Sequence, residues 1–158
     1  MQKVVITGHD LTVDQIIAVC REGAEVVLSD ESREKILASR QVVNELVEER
    51  KVVYGITTGF GKFSDVVISQ DECKLLQKNL IITHAVGAGD PFKEDIARGI
   101  LLLRVNSLSN GFSGICLETV ETMIAMLNKG VTPFIPEKGS LGASGDLAPL
   151  SHMVLPMI

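Results

Sequence analysis

The string GSLGASGDLAPLSH, from Gly139 to His152, is the segment whose residue types are best suited to unusual chemistry. Small residues at 142, 143 and 145 surround Ser144, and such residues tolerate backbone angles that larger ones avoid. Ala-Ser-Gly alone is weak evidence, because at roughly 7% usage per residue a chain of this length contains it by chance about one time in twenty. The alternative interpretation is a plain glycine turn that leads into a helix beginning near Asp146.

Tyrosine and histidine are the other side chains with catalytic potential. Tyr54 is the only tyrosine, and it precedes a Gly/Thr-rich loop, GITTGFGKFS. The three histidines, His9, His84 and His152, are widely scattered and do not have the spacing of a zinc site. A single tyrosine or histidine is most often a packing residue, so neither establishes a site without its surroundings.

Familiar cofactor motifs are absent from the sequence. There is no GxxxxGK[ST] phosphate loop, no HExxH and no GxSxG. The strings GFG at 59–61 and GAG at 87–89 start like a dinucleotide fingerprint, but Ser64 and Phe92 stand where the third glycine belongs. Ser32 begins an SxxK string, yet it lies on a charged surface helix without the accompanying signatures. We therefore expect neither a nucleotide nor a metal.

Taken as a whole, the 139–152 string resembles the prosthetic-group loop of the aromatic amino acid ammonia-lyase family. The resemblance implies that Ala143, Ser144 and Gly145 form 4-methylidene-imidazol-5-one, an electron sink that no standard side chain provides. The Gly145 nitrogen would attack the Ala143 carbonyl, and two waters would leave, one of them from the Ser144 side chain. Asp146 and Leu147 are implied to support the ring.

The string YGITTGFGKFS, from Tyr54 to Ser64, resembles the catalytic tyrosine loop of the same family. The resemblance gives Tyr54 the role of the base that takes the β-proton, and it implies that Gly61 contacts the substrate. Many relatives have Asn where this chain has Thr57, and others have Thr.

The string LQKNLIITHAVGAGDPF, from Leu76 to Phe92, resembles the segment that reads the substrate side chain. The pair Thr83-His84 is typical of the histidine-type enzymes, which convert L-histidine to trans-urocanate and ammonia. An imidazole at His84 could equally accept a hydrogen bond from a phenol, so a tyrosine ammonia-lyase or tyrosine aminomutase is the alternative. Asn106, in the similar string RVNSLSNGFSG, is implied to be a supporting residue that packs a helix.

The resemblance is strongest from Val53 to Met153 and covers about the first third of a typical family member. It implies a mainly α fold with fumarase/aspartase-like superfamily architecture. A mixed α/β region, residues 1–110, would lead into the start of a central helical bundle, residues 111–158. Family members are homotetramers whose active sites combine loops from three subunits, so a homotetramer is expected here.

Local patterns predict the elements that must position these residues. KVVITG and VVLS are typical of short strands, and the capping box that begins at Thr12 predicts a helix over Val13–Arg21. Further helices are predicted from about Glu31 to Arg50, after a second capping box at Ser69, and almost continuously from Lys93 until Gly130. Residues 51–54 are predicted to be extended.

Composition and charge restrict the class of protein. With 46% hydrophobic and 22% charged residues, the 158-residue chain is typical of a globular protein. A net charge of −5 and the lack of a basic stripe argue against nucleic acid as a partner. The apolar runs are far shorter than the roughly 18–20 residues of a membrane span. Three widely spaced cysteines favour buried thiols in a reducing cytoplasm.

The sequence ends within an apolar segment, Met153 to Ile158, without a cap or polar tail. We therefore expect it to be part of a longer polypeptide. The carboxylate-binding arginine and second tyrosine of the family would lie downstream. An alternative to an enzyme is thus a catalytically inactive helical fragment whose only remaining property is self-association.

Overall fold

The computed structural model describes residues 2–63, 68, 70–141 and 145–158. Most of this part of the chain is helical, as expected of a mainly α protein. The α-helices of the described residues are α1 (Val13–Arg21), α2 (Asp30–Glu48), α3 (Gln70–His84), α4 (Glu94–Leu108), α5 (Leu117–Asn128) and α6 (Leu147–Val154).

Two short strands near the start form a parallel pair, β1 (Lys3–Ile6) and β2 (Glu25–Leu28), with Lys3 opposite Glu25. Alternate residues point inward, so Val4 and Val26 are buried in the core. Asn128, the last residue of α5, extends this sheet: its side chain accepts from the Val26 N–H at 2.8 Å and donates to the Val26 carbonyl at 2.9 Å. The end of α5 is thereby fixed to β2.

The predicted start of α1 is confirmed. The Thr12 hydroxyl accepts from the Gln15 N–H, and the Gln15 side chain accepts from the Thr12 N–H, which is the reciprocal capping box. Gly130, predicted to follow a helix end, lies just beyond α5 with φ of 70°. The second capping serine, Ser69, lies outside the described residues.

Arg98 ties the ends of two helices together inside the molecule. Only 8% of this residue is exposed, and its Nη2 donates to the carbonyls of Val19 at 3.0 Å and Leu127 at 3.1 Å. Both carbonyls belong to the last turns of their helices, α1 and α5, where carbonyls lack intrahelical partners and the helix dipole favours a cation.

We expect Arg98→Met to lower the free energy of unfolding by about 2–4 kcal/mol, because two buried carbonyls lose a charged donor. Arg104→Met, on the exposed side of the same helix, is the matched control and should change it by less than about 0.5 kcal/mol. Denaturant unfolding of both variants measures the difference. Equal effects would contradict the role given to Arg98.

A second, antiparallel pair of strands was not predicted from the sequence. β3 (Ala88–Pro91) pairs with β4 (Pro136–Lys138), and the Phe92 N–H donates to the Ile135 carbonyl at 2.9 Å. Neither AGDP nor PEK contains good strand formers, so their pairing depends on contacts between distant parts of the chain. This strand pair joins the segment after α3 to the loop that precedes α6.

The prediction of almost continuous helix from Lys93 to Gly130 is wrong at residues 109–116, where a loop separates α4 from α5. Gly111 and Gly114 both have positive φ, and each lies against α2. A Cβ at Gly111 would be 2.7 Å from the Lys35 backbone, and one at Gly114 would be 2.3 Å from Val43. The two glycines therefore let the loop pack closely on α2.

One hydrophobic core includes residues from both sides of the expected boundary near residue 110. Leu101 and Val105 of α4 pack there with Val120 of α5, and Met153 of α6, expected in an unfinished apolar end, is only 1% exposed. Ile158 remains about half exposed. In the part of the chain that is described, no helix is both long and apolar enough to cross a membrane.

Candidate active site

A cleft of about 910 Å³ lies between the loop at 54–61, α3 and α6. It brings together four of the residues singled out from the sequence, Tyr54, Gly61, His84 and Leu147. The first two come from the loop, the third from the end of α3 and the fourth from the start of α6. Residues that are far apart in the sequence thus face one space.

The loop that carries Tyr54 is a turn, so the prediction that residues 51–54 are extended is wrong at its end. The Val53 carbonyl accepts from the N–H groups of Ile56 and Thr57 at 3.1 and 3.0 Å. The buried Thr57 hydroxyl accepts from the Val53 N–H at 2.9 Å and donates to the Lys51 carbonyl. A threonine at position 57 therefore stabilises the tyrosine loop through its own hydroxyl.

Tyr54 is 62% exposed, and its ring lies edge-on to Phe60 with 5.8 Å between the ring centroids. Its hydroxyl oxygen is 3.5 Å from the Gly61 nitrogen, at the outer limit of a hydrogen bond. The ring is therefore oriented by packing, while its oxygen keeps most of its bonding capacity for another molecule.

His84 ends α3, and its Nδ1 lies 2.8 Å from the Leu80 carbonyl oxygen. A carbonyl can only accept, so Nδ1 carries the proton in this contact, and the neutral ring keeps Nε2 as an acceptor. The adjacent Thr83 hydroxyl donates to the same carbonyl at 3.1 Å and lies 3.3 Å from Nδ1. Thr83 is exposed and does not line the cleft.

Leu76 and Leu80 form an apolar wall of the cleft with His84. The three residues are spaced by four along α3, so they lie on one helix face. The sequence motifs did not single out these two leucines as site residues, although their spacing relative to His84 could have revealed them. An apolar wall with one imidazole at its end suits a flat ring that carries a polar edge.

Of the expected prosthetic-group residues, Ala143 and Ser144 lie outside the described residues, and Gly145 is the first one described after them. Gly145 has φ of +88°, and its carbonyl accepts from the Leu147 N–H at 2.9 Å across Asp146. With φ of −80° and ψ of 72°, Asp146 forms an inverse γ-turn. The backbone is tightly folded where it leaves the Ala-Ser-Gly string.

Asp146 occupies the N-cap position of α6, yet its side chain makes no capping hydrogen bond. Its Oδ1 instead accepts from the Ser140 hydroxyl at 2.9 Å. This bond joins the two ends of the loop that contains Ala143 and Ser144, so the carboxylate closes the loop.

Asn106 lies away from the cleft. Its amide donates to the Gly8 carbonyl at 3.3 Å, and Asn110 donates to the same carbonyl at 3.0 Å. Its Oδ1 is buried without a hydrogen-bond partner among the described residues. These contacts are those of a residue that packs α4 against the segment after β1.

Other classes of site find no support in the described residues. No group of three or more His, Cys, Asp or Glu side chains there is placed to hold a metal ion. Burial raises the pKa of the Cys20 thiol, an effect that outweighs the opposing field of Arg98. Reactive thiols have lowered pKa values, so Cys20 has the properties of a structural cysteine.

Comparisons with known proteins identify the family of the chain. The family model for aromatic amino acid lyases matches residues 11–158. Histidine ammonia-lyases from Caldanaerobacter subterraneus and Alkaliphilus oremlandii are 61% and 63% identical over all 158 residues. The chain spans about 31% of the length of each of these two relatives.

Solved structures of related enzymes have the same fold. Ergothionase from Treponema denticola matches 99% of this chain and 31% of its own, with a TM-score of 0.94 at 31% identity. Histidine ammonia-lyase from Trypanosoma cruzi matches 99% of this chain and 29% of its own, with a TM-score of 0.89 at 43% identity. Together with the family-model match, these similarities establish that the chain belongs to the aromatic amino acid lyase family.

Proposed function

We propose that the protein containing this chain removes ammonia from L-histidine and forms trans-urocanate. One observation carries the proposal: His84 and Tyr54 line the same cleft, and the Leu80 carbonyl fixes the His84 ring with Nε2 as an acceptor. An acceptor at that position suits the N–H of a substrate imidazole. The identity of 61–63% to two histidine ammonia-lyases supports the same substrate.

Each side chain of the cleft then has a role in the reaction. The substrate ring would lie against Leu76 and Leu80 and donate to His84 Nε2, which sets its orientation. The Tyr54 oxygen, whose one hydrogen-bond contact among the described residues is the 3.5 Å approach of the Gly61 N–H, would take the β-proton. Gly61 gives the substrate space beside the tyrosine, because it has no side chain.

Ala143, Ser144 and Gly145 would hold the prosthetic group 4-methylidene-imidazol-5-one, whose exocyclic carbon supplies the electrophile. The described end of this string fits such a ring. Gly145 has a positive φ that other residues rarely adopt, and the γ-turn at Asp146 compresses the backbone beside it. The Ser140–Asp146 hydrogen bond joins the loop ends and would limit its freedom to relax.

We also propose that the working enzyme is a homotetramer in the cytoplasm. Tyr54 is 62% exposed and Leu147 is exposed as well, whereas a reactive electrophile requires a site that excludes water. Further segments of the protein or other subunits would complete the enclosure. Cys20 and Cys116 are free thiols, which is typical of a reducing compartment.

The test is an assay of the full-length protein with L-histidine and with L-tyrosine as separate substrates. We expect urocanate from histidine and little or no coumarate from tyrosine. The tyrosine alternative deserves the same assay because a tyrosine aminomutase structure matches this chain with a TM-score of 0.88. A preference for tyrosine would show that the proposed substrate is wrong, and the assignment to the family would be unaffected.

A second candidate concerns the 158-residue chain by itself. It spans about 31% of its relatives, so groups that bind the substrate carboxylate are expected beyond it. We expect the isolated chain to be inactive and to associate with itself. Urocanate formed by the purified chain, or a well-folded monomer in light scattering, would contradict this.

His84→Leu should reduce kcat/KM for histidine by about 10²-fold, because a polar substrate atom loses its proposed hydrogen-bond partner in a mostly apolar cleft. Turnover of phenylalanine, which carries no such atom, should fall much less. Rates of ammonia release from both substrates measure the difference. Equal losses would show that His84 packs the helix and does not select the substrate.

A further inference from the structure

His152 makes a contact that the proposed reaction does not use. This histidine lies on α6, one residue beyond Ser151 of the cleft, and its Nε2 accepts the Gly87 N–H at 2.9 Å. Gly87 is only three residues after His84, and between them the Val86 N–H donates to the His84 carbonyl at 2.9 Å. The hydrogen bond therefore joins α6 to the segment that follows α3.

The surroundings of Gly87 are closely packed. A Cβ on it would lie 2.9 Å from both His152 Nε2 and Pro136 Cγ. On another side, a Cβ on Gly139 would lie 2.7 Å from the Gly87 Cα. Gly139 precedes the Ala-Ser-Gly string and His152 lies on the helix that follows it, so residues on both sides of that loop pack against Gly87, near His84.

The direction of the hydrogen bond fixes the state of the His152 ring. An amide N–H can only donate, so Nε2 must be unprotonated, and in the neutral ring the proton is on Nδ1. A side chain without an acceptor at that position would leave the Gly87 N–H without its partner. Glutamine offers an acceptor at a similar distance from the backbone, whereas leucine fills space without one.

We propose that His152 is a positioning residue that holds the end of α3 against α6 and thereby sets the place of the His84 ring relative to the prosthetic-group loop. It acts through Gly87 and does not touch the substrate. The inference rests on the proposed function, because it assumes that His84 reads the substrate ring. It assigns a role to the GAG string at 87–89, where Gly87 permits close contact between three segments.

The experiment uses the full-length protein and compares His152→Leu with His152→Gln. His9→Leu is the matched control, since the His9 side chain is exposed and its Nε2 lies 3.5 Å from the Asp10 carboxylate. Calorimetry gives the dissociation constants of urocanate and of cinnamate, its phenyl counterpart. Hydrogen exchange with mass spectrometry reads the segment 81–92, which contains His84 and Gly87.

We expect His152→Leu to lower the preference for urocanate over cinnamate by about tenfold, with faster exchange in 81–92, because the half-buried Gly87 amide loses its hydrogen-bond partner. His152→Gln should keep most of the preference for urocanate and most of the protection of 81–92 from exchange, because glutamine offers an acceptor to the Gly87 N–H. In a His84→Leu background, His152→Leu should cause no further loss of preference, because its effect passes through His84.

Three results would overturn the proposal: an unchanged preference in His152→Leu, an equal loss in His152→Gln, or a full additional loss in the His84→Leu background. If His152→Leu fails to fold, Gly87→Ala replaces it, because the added methyl displaces the same contact. An unchanged preference in Gly87→Ala would then overturn the proposal. A wild-type protein that forms no urocanate would contradict the proposed function alone, since exchange in 81–92 needs no substrate.

Discussion

Ser144→Ala is expected to abolish nearly all turnover of histidine, by a factor of about 10³ or more, since the electrophile is the electron sink of the reaction. Only a side chain that can lose water can supply the exocyclic carbon, and alanine cannot. The contacts at the ends of the loop should persist, because the Ser140–Asp146 bond and the turn at Gly145 do not involve the Ser144 side chain. Urocanate formation by purified full-length variants measures the effect.

The matched control is Ser107→Ala, on the exposed side of α4, which should leave the rate unchanged. Thermal unfolding of both variants separates loss of chemistry from loss of fold. If the activity of Ser144→Ala were within tenfold of that of the wild type, the assignment of the prosthetic group would be wrong.

Tyr54→Phe is expected to lower kcat by about 10²–10⁴-fold, the usual contribution of a positioned acid or base. The substitution removes only the hydroxyl, and the edge-on contact with Phe60 persists because it involves the ring. Binding of urocanate should therefore change little. Steady-state rates and calorimetry on the same sample measure the two effects.

Phe60→Leu is the counterpart that disturbs the ring packing and keeps the Tyr54 hydroxyl. We expect it to lower kcat by about tenfold or less, because 1 kcal/mol of lost orientation corresponds to a factor of about five. If Phe60→Leu were as damaging as Tyr54→Phe, the tyrosine would matter for its packing and the base would have to be another group.

The sequence predicted those elements whose signals are local. The capping box at Thr12 and the glycine at 130 depend on neighbouring residues only, and both α1 and the end of α5 are where these signals indicate. The resemblance singled out Tyr54 and His84 although they are 30 residues apart, and the structure places both on one cleft. Asp146 occupies the N-cap position of α6, but its carboxylate bonds to Ser140 and makes no capping hydrogen bond. Its support of the prosthetic group stays a prediction.

Features that depend on distant contacts were not predictable from local patterns. The strand pair β3–β4 consists of poor strand formers that are more than 40 residues apart, and it adjoins the close packing around Gly87. The loop at 109–116 interrupts a helical pattern because its glycines approach α2. For the same reason, the contact between His152 and Gly87 could not be read from their positions in the sequence.

The intact mass of the purified full-length protein tests the central claim most directly. If Ala143, Ser144 and Gly145 form the prosthetic group, the mass is lower than the sequence mass by two water molecules, and fragmentation places the deficit between Ala143 and Gly145. Ser144→Ala should retain the water that the serine side chain would otherwise lose. A wild-type mass equal to the sequence mass, in a protein that still forms urocanate, would contradict the account.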